Sequence, residues 1–148
     1  MSFDRFSNQF TVAAPAEKIF AHLMVPESYI GLSPLVVAVR DVTPAGDGSI
    51  VYTAIERFKL GPFKWDNPIR VTLTGVPDSR VTSSVKSPGG VTLVSTTDLV
   101  ADGDSTTVTD TIEVTSPWLL RWFVVGQARK VQLSRAAELD RRLARPAE

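Results

Sequence analysis

Apolar and polar residues alternate along most of this chain, and the alternation stops near Ser116. A period of two residues is the mark of a strand with one face buried. The strand-like runs are Leu35–Val42, which is rich in β-branched residues, and then Ile50–Leu60, Phe63–Val76, Arg80–Lys86, Val91–Val100 and Thr106–Thr115. The gaps between them are short and made of turn residues, such as Pro44-Ala45-Gly46-Asp47-Gly48, Gly61-Pro62, Pro77-Asp78-Ser79 and Pro88-Gly89-Gly90. Gaps of that length fit hairpins, whereas parallel strands need a crossover of a dozen or more residues. The runs therefore predict an antiparallel meander. Pro68 interrupts one of them and marks an edge or a bulge, because proline cannot donate to a ladder.

Outside the meander the pattern changes. Phe6–Val12 alternates and predicts a further strand. Ala14-Pro15-Ala16-Glu17 then starts a helix whose stripe is Ile19, Phe20, Leu23 and Met24, ended by Pro26. Glu27 to Leu32 predicts a second short helix, stopped by Gly31 and Pro34. From Ser116 the spacing is helical. Ser116 suits an N-cap and Pro117 a first helical position, and Arg141, Arg142 and Arg145 lie near the C-terminal end. Such a helix, of roughly 25 residues, is about 40 Å long. A lone helix after so many strands needs a surface to lie on, and across a curved sheet it encloses a cavity.

Strand alternation assigns faces. In Ile50–Leu60 the more apolar face carries Ile50, Tyr52, Ala54, Glu56, Phe58 and Leu60, and it is expected inside. The inner set of Thr106–Thr115 is Val108, Asp110, Ile112 and Val114, and that of Phe63–Val76 is Trp65, Asn67, Ile69, Val71 and Leu73. Two carboxylates, Glu56 and Asp110, thus point inward. A bare carboxylate in an apolar interior is costly unless paired or wet. Either the interior holds water and a polar ligand group, or a bulge turns these side chains out, or they lie near strand ends or pair with an arginine. A bulge at Pro68 would turn Asn67 over.

The best core-facing stripe of the last helix takes Trp118, Trp122, Val125, Arg129, Gln132, Leu133, Ala136 and Leu143. Arg129 and Gln132 interrupt it, and Gly126 leaves a gap beside it. Glycine inside a helix costs about 1 kcal/mol relative to alanine, so it marks close packing against a strand or space left for something. In the second case Gly126 and Gln132 line the cavity, and Arg129 reaches Glu56, Asp110 or a ligand carbonyl.

Composition narrows the chemistry. At 148 residues the chain is expected to be one domain, 1–148. It has no cysteine and one histidine, His22, which is expected partly exposed beside the first helical stripe. Disulfides, thiol nucleophiles and Cys- or His-rich metal sites are thereby removed, and no metal or cofactor is expected. There is no G-x-S-x-G turn, no G-x-G-x-x-G and no P-loop. Sixteen basic and sixteen acidic residues balance, and exposed aromatics do not interleave with basic residues, so no nucleic-acid partner is expected. The polar N-terminus does not read as a signal peptide, and no apolar run approaches the ~20 residues of a membrane span. The expectation is a cytoplasmic monomer or homodimer. Acid–base chemistry by Glu56, Asp110, Tyr52 or Tyr29 remains available.

Two segments carry a family resemblance. Phe10-Thr11-Val12-Ala13-Ala14-Pro15-Ala16-Glu17-Lys18-Ile19-Phe20 resembles the opening of START-related (SRPBCC) domains. Val25-Pro26-Glu27-Ser28-Tyr29, followed by Ser33-Pro34, resembles their next segment. Together with the element order, this is similar to the bacterial polyketide cyclase/dehydrase-like branch. The resemblance implies an α+β helix-grip fold: a curved seven-stranded antiparallel sheet wrapped around a long C-terminal helix, with two short helices after strand 1. It also implies an apolar ligand between sheet and helix. Members of the superfamily include cyclases or aromatases, lipid and hormone carriers, co-chaperones and toxins, so the fold alone does not choose a function. No catalytic set carries over residue by residue.

Three functions are compatible with these observations. The first is binding of a lipid-like or polyketide-like molecule, with Tyr52, Glu56, Phe58, Trp65, Asn67, Asp110, Trp122, Gly126, Arg129 and Gln132 as pocket candidates. The second is a cyclase/dehydrase-type enzyme using Glu56 or Asp110 as acid or base. The third is a protein-interaction module acting through Trp118, Leu119 and Trp122.

Overall fold

The alternating segments form seven strands in one antiparallel sheet. A computed structural model describes residues 1–144, without the side chain of Leu60. The elements are β1 (Ser2–Val12), α1 (Ala16–Leu23), a 3-10 turn (Pro26–Tyr29), β2 (Val36–Pro44), β3 (Ile50–Leu60), β4 (Phe63–Val76), β5 (Arg80–Ser87), β6 (Val91–Asp102), β7 (Ser105–Ser116), a second 3-10 turn (Trp118–Leu120) and α2 (Arg121–Leu143). The sheet order is β1-β7-β6-β5-β4-β3-β2, so β2 to β7 form the expected meander and β1 closes onto its last strand. The inward direction of Leu60 and the place of Arg145 lie outside the described residues.

Four details depart from the sequence expectations, each for a physical reason. β1 begins at Ser2 rather than Phe6, because β7 runs beside it from Val12↔Thr106 to Ser2↔Ser116. That pairing also keeps Ser116 in the sheet. It does not cap a helix, its hydroxyl has no partner among the described residues, and Pro117 is extended (φ −56°, ψ 137°). The chain turns through Trp118–Leu120 before α2 starts at Arg121. The second short helix is a 3-10 helix over Pro26–Tyr29 rather than Glu27–Leu32, because extended Ile30 and Gly31 at φ +81° end it early. Finally, Pro68 makes no bulge. β3 and β4 pair without a break from Ile50↔Leu73 to Leu60↔Phe63. β5 extends along β4 only to Arg70↔Lys86, so Pro68 sits on a stretch of β4 that β5 does not reach.

The inner face of the sheet is divided between two packings. α1 and the C-terminal half of α2 cover one part, where Ile19, Leu23, Leu32, Leu73, Val108, Leu139 and Leu143 are buried together. The first half of α2 follows β1 and β7, where Ala128 packs with Ile112, Val114, Phe6 and Val124. The inner face of β2 to β5 opposite that half is left without a helix directly on it. Arg142 ties the far end of α2 to the 3-10 turn: its guanidinium donates to the carbonyls of Ser28 (2.6 Å) and Ile30 (3.0 Å) and lies 3.3 Å from His22 Nε2. His22 is half-buried there, and burial followed by the Arg142 charge lowers its pKa. Among the described residues no helix is long and apolar enough to cross a membrane.

Candidate functional site

The space beneath the first half of α2 is a cavity of about 350 Å³, within the range of small-molecule sites. β3 supplies Tyr52, Ala54, Glu56 and Phe58, and β4 supplies Trp65, Asn67, Ile69 and Val71. These are the inner faces that alternation assigned. α2 closes the space with Phe123, Val124, Gln127, Ala128, Val131 and Arg135. Most of the wall is apolar, and two groups of its polar residues are joined by hydrogen bonds.

The first gathering surrounds Asp110. All four expected inward residues of β7 are buried, and Asp110 is 3% exposed. Its carboxylate pairs with Arg135 of α2 and accepts a 3.1 Å hydrogen bond from Ser95 Oγ. Ser95 Oγ in turn accepts one from Arg135 Nη2 at 3.1 Å. Gln132 Nε2 donates to the Asp110 carbonyl at 2.8 Å, which leaves Gln132 Oε1 buried without a partner. Burial works against the Arg135 charge, but attraction to Asp110 and their hydrogen bond outweigh it, so the guanidinium is held above its usual range. Two tyrosines adjoin this pair. Tyr29 donates to the Leu23 carbonyl at 2.7 Å. Tyr52 is 2% exposed and its hydroxyl has no hydrogen-bond partner among the described residues. Burial pushes both phenols well above the normal tyrosine range. A water-sized cavity of about 10 Å³ lies between Tyr29, Asp110 and Arg135.

The second gathering is Glu56 with Asn67 and Ser87. Glu56 and Asn67 face one another across β3 and β4. Asn67 Nδ2 makes a long 3.5 Å contact with Glu56 Oε1 and a 3.0 Å hydrogen bond to Ser87 Oγ. No salt bridge reaches Glu56 among the described residues. Burial raises its pKa, and the Asn67 amide only partly opposes this. Glu56 and Tyr52 are four positions apart on β3, about 13 Å along the strand.

Aromatic rings frame one end of the space. Phe58 stacks on Trp65 with centroids 5.5 Å apart and meets Phe123 of α2 at 6.0 Å. Outside this cluster stand Trp118 (69% exposed), Leu119 and Trp122 (78% exposed).

Three pocket candidates are corrected by this geometry, and two others lie beside the cavity rather than on its wall. Trp122, Gly126 and Arg129 are on the exposed side of α2 and do not line the cavity. Arg129 lies over the Phe6 ring at 5.5 Å, on the β1 side, and reaches neither Glu56 nor Asp110. Asp110 lines the small cavity, and Gln132 is fully buried against the Asp110 carbonyl. The cause is one rotation of the helix. A stripe anchored on Trp118 and Trp122 is turned by about 100° from the real one, which runs Val124, Ala128, Val131, Arg135 and Leu139. Arg135 was the residue missed. Its signal was the unmatched carboxylate at Asp110, together with a spacing of four from both Val131 and Leu139.

Gly126 is therefore neither packed against a strand nor set against the cavity. A Cβ added there meets nothing within 4 Å. Gly126→Ala should stabilise the fold by about 1 kcal/mol, the difference in helix propensity. Thermal unfolding of the two proteins checks this, and a loss of stability would mean that space at Gly126 is used.

Solved structures share this arrangement. The Zhui aromatase/cyclase from Streptomyces sp. R1128 superposes with a TM-score of 0.76 at 15% identity, covering 95% of this chain and 96% of that one. The di-domain ARO/CYC BexL from the BE-7585A biosynthetic pathway matches at 0.76 and 16% identity, with 97% of this chain on 51% of that one. A START superfamily protein from Mycobacterium smegmatis matches at 0.71 and 16% identity, covering 94% and 96%. The fold is thus the START-like helix-grip fold that the resemblance implied. No family model and no curated protein matches the sequence.

Proposed function

We propose that the protein binds a hydrophobic small molecule, lipid-like or polyketide-like, between the sheet and α2. The observation that carries this reading is the cavity of about 350 Å³, apolar over most of its wall, with two hydrogen-bonded polar groups on it. The solved aromatase/cyclases and the START superfamily protein that share the fold agree with such a role. The neutral dye Nile red tests it. Saturable binding at one dye per chain, displaced by apolar ligands, is the expected result. Fluorescence that never saturates, with no apolar mass retained in native mass spectrometry, would overturn it.

A second reading, an enzyme of the cyclase/dehydrase type, is favoured by Glu56. A carboxyl whose pKa is raised by burial, at the wall of an apolar cavity, is suited to proton transfer. Asp110 is less suited, because Arg135 holds its carboxylate. A third reading, an interaction module, rests on exposed Trp118, Leu119 and Trp122.

A further inference from the structure

The charges at the cavity do not cancel. Among the described residues that line it or its small neighbour, the charged side chains are Arg135, Asp110 and Glu56. Asp110 already neutralises Arg135 through a buried ion pair. Glu56 faces the same space with an amide and no cation. The site therefore has no spare cation for an incoming anion, and it carries an uncompensated negative charge whenever Glu56 is ionised.

Its open hydrogen-bonding groups have a polarity as well. Arg135 uses only Nη2 for Asp110 and Ser95, so Nε and Nη1 keep their protons unshared among the described partners. The Tyr52 hydroxyl is a second unshared donor, on a side chain 98% buried at the cavity wall. These donors need an acceptor oxygen that brings no negative charge. About 13 Å along β3 from Tyr52, Glu56 needs a donor, a hydroxyl or an amine.

Resting on the binding reading above, we infer that the cavity takes an uncharged, carbonyl-bearing apolar molecule, its oxygen at Arg135 and Tyr52, and rejects free carboxylates of the same length. A carboxylate at that end would compete with Asp110 for Arg135, and the cavity offers no second cation to offset its charge. An uncharged carbonyl accepts the same hydrogen bonds without that penalty.

The test is displacement of Nile red at pH 8 by two matched chains, 2-dodecanone below its solubility limit and dodecanoate below its micelle concentration. The ketone should displace the dye at least about tenfold more strongly than the carboxylate. Glu56→Gln should narrow that gap, and Tyr52→Phe should weaken the ketone's own binding, measured directly by calorimetry. Dodecanoate binding as well as the ketone to the wild-type protein would overturn the inference and leave the binding reading standing. A protein that never binds Nile red saturably would overturn both.

Discussion

Asp110→Ala should destabilise the protein by about 3–5 kcal/mol, the usual result of stripping one partner from a buried ion pair. The Arg135 side chain is only 15% exposed, and without the carboxylate it keeps a single described partner, Ser95. With an urea dependence of ~2 kcal/mol per molar, the unfolding midpoint should fall by roughly 2 M. Asp110→Asn should lose less, since an amide carbonyl can still accept from Arg135 and Ser95. The double variant Asp110→Ala/Arg135→Met should recover much of the loss, because it leaves no buried charge behind. A single Asp110→Ala variant within 1 kcal/mol of wild type would mean that Arg135 is well solvated through the cavity, which contradicts the packing described above.

Ala54→Trp should abolish Nile red binding, or weaken it at least about tenfold, while changing stability by less than 1 kcal/mol. Ala54 is 1% exposed and lines the cavity midway along β3, between Tyr52 and Glu56. In a filled core an added ring forces neighbours aside at a cost of about 1–3 kcal/mol. At this wall its atoms enter open space and gain contacts. The pair of measurements separates the two cases. Strong destabilisation with dye binding intact would mean that the space lies elsewhere.

The strands were legible because two local rules agree along them. Alternation assigns a face, and a short turn prevents the next strand from slipping by one residue. That is why Tyr52, Glu56, Phe58, Trp65 and Asn67 all reach the cavity as expected. The helix was less legible. Its face was chosen by hydrophobicity, and the largest apolar residues, Trp118 and Trp122, stand in solvent. The face that turns inward carries Gln127, Gln132 and Arg135, whose burial depends on partners distant in sequence. Arg135 is admitted by Asp110, and Gln132 by the Asp110 carbonyl. Ser116 misled in another way. Its capping chemistry was real, but pairing with Ser2 was a stronger claim on the same residue.

The pairing of β1 with β7 also has a consequence for how the chain reaches this state. Each hairpin from β2 to β7 closes a short loop and can form as soon as its two strands exist. β1 is made first, yet its one sheet partner is made last, after five other strands. Closing so long a loop is the slow, entropically costly event in such topologies. Until Ser116 has emerged from the ribosome, Phe6 and Phe10 have no sheet to join, and the unpaired backbone of β1 is open to other chains. Capture of the N-terminal strand is thus the expected final step of folding, and the period before it is when the protein is most exposed to aggregation.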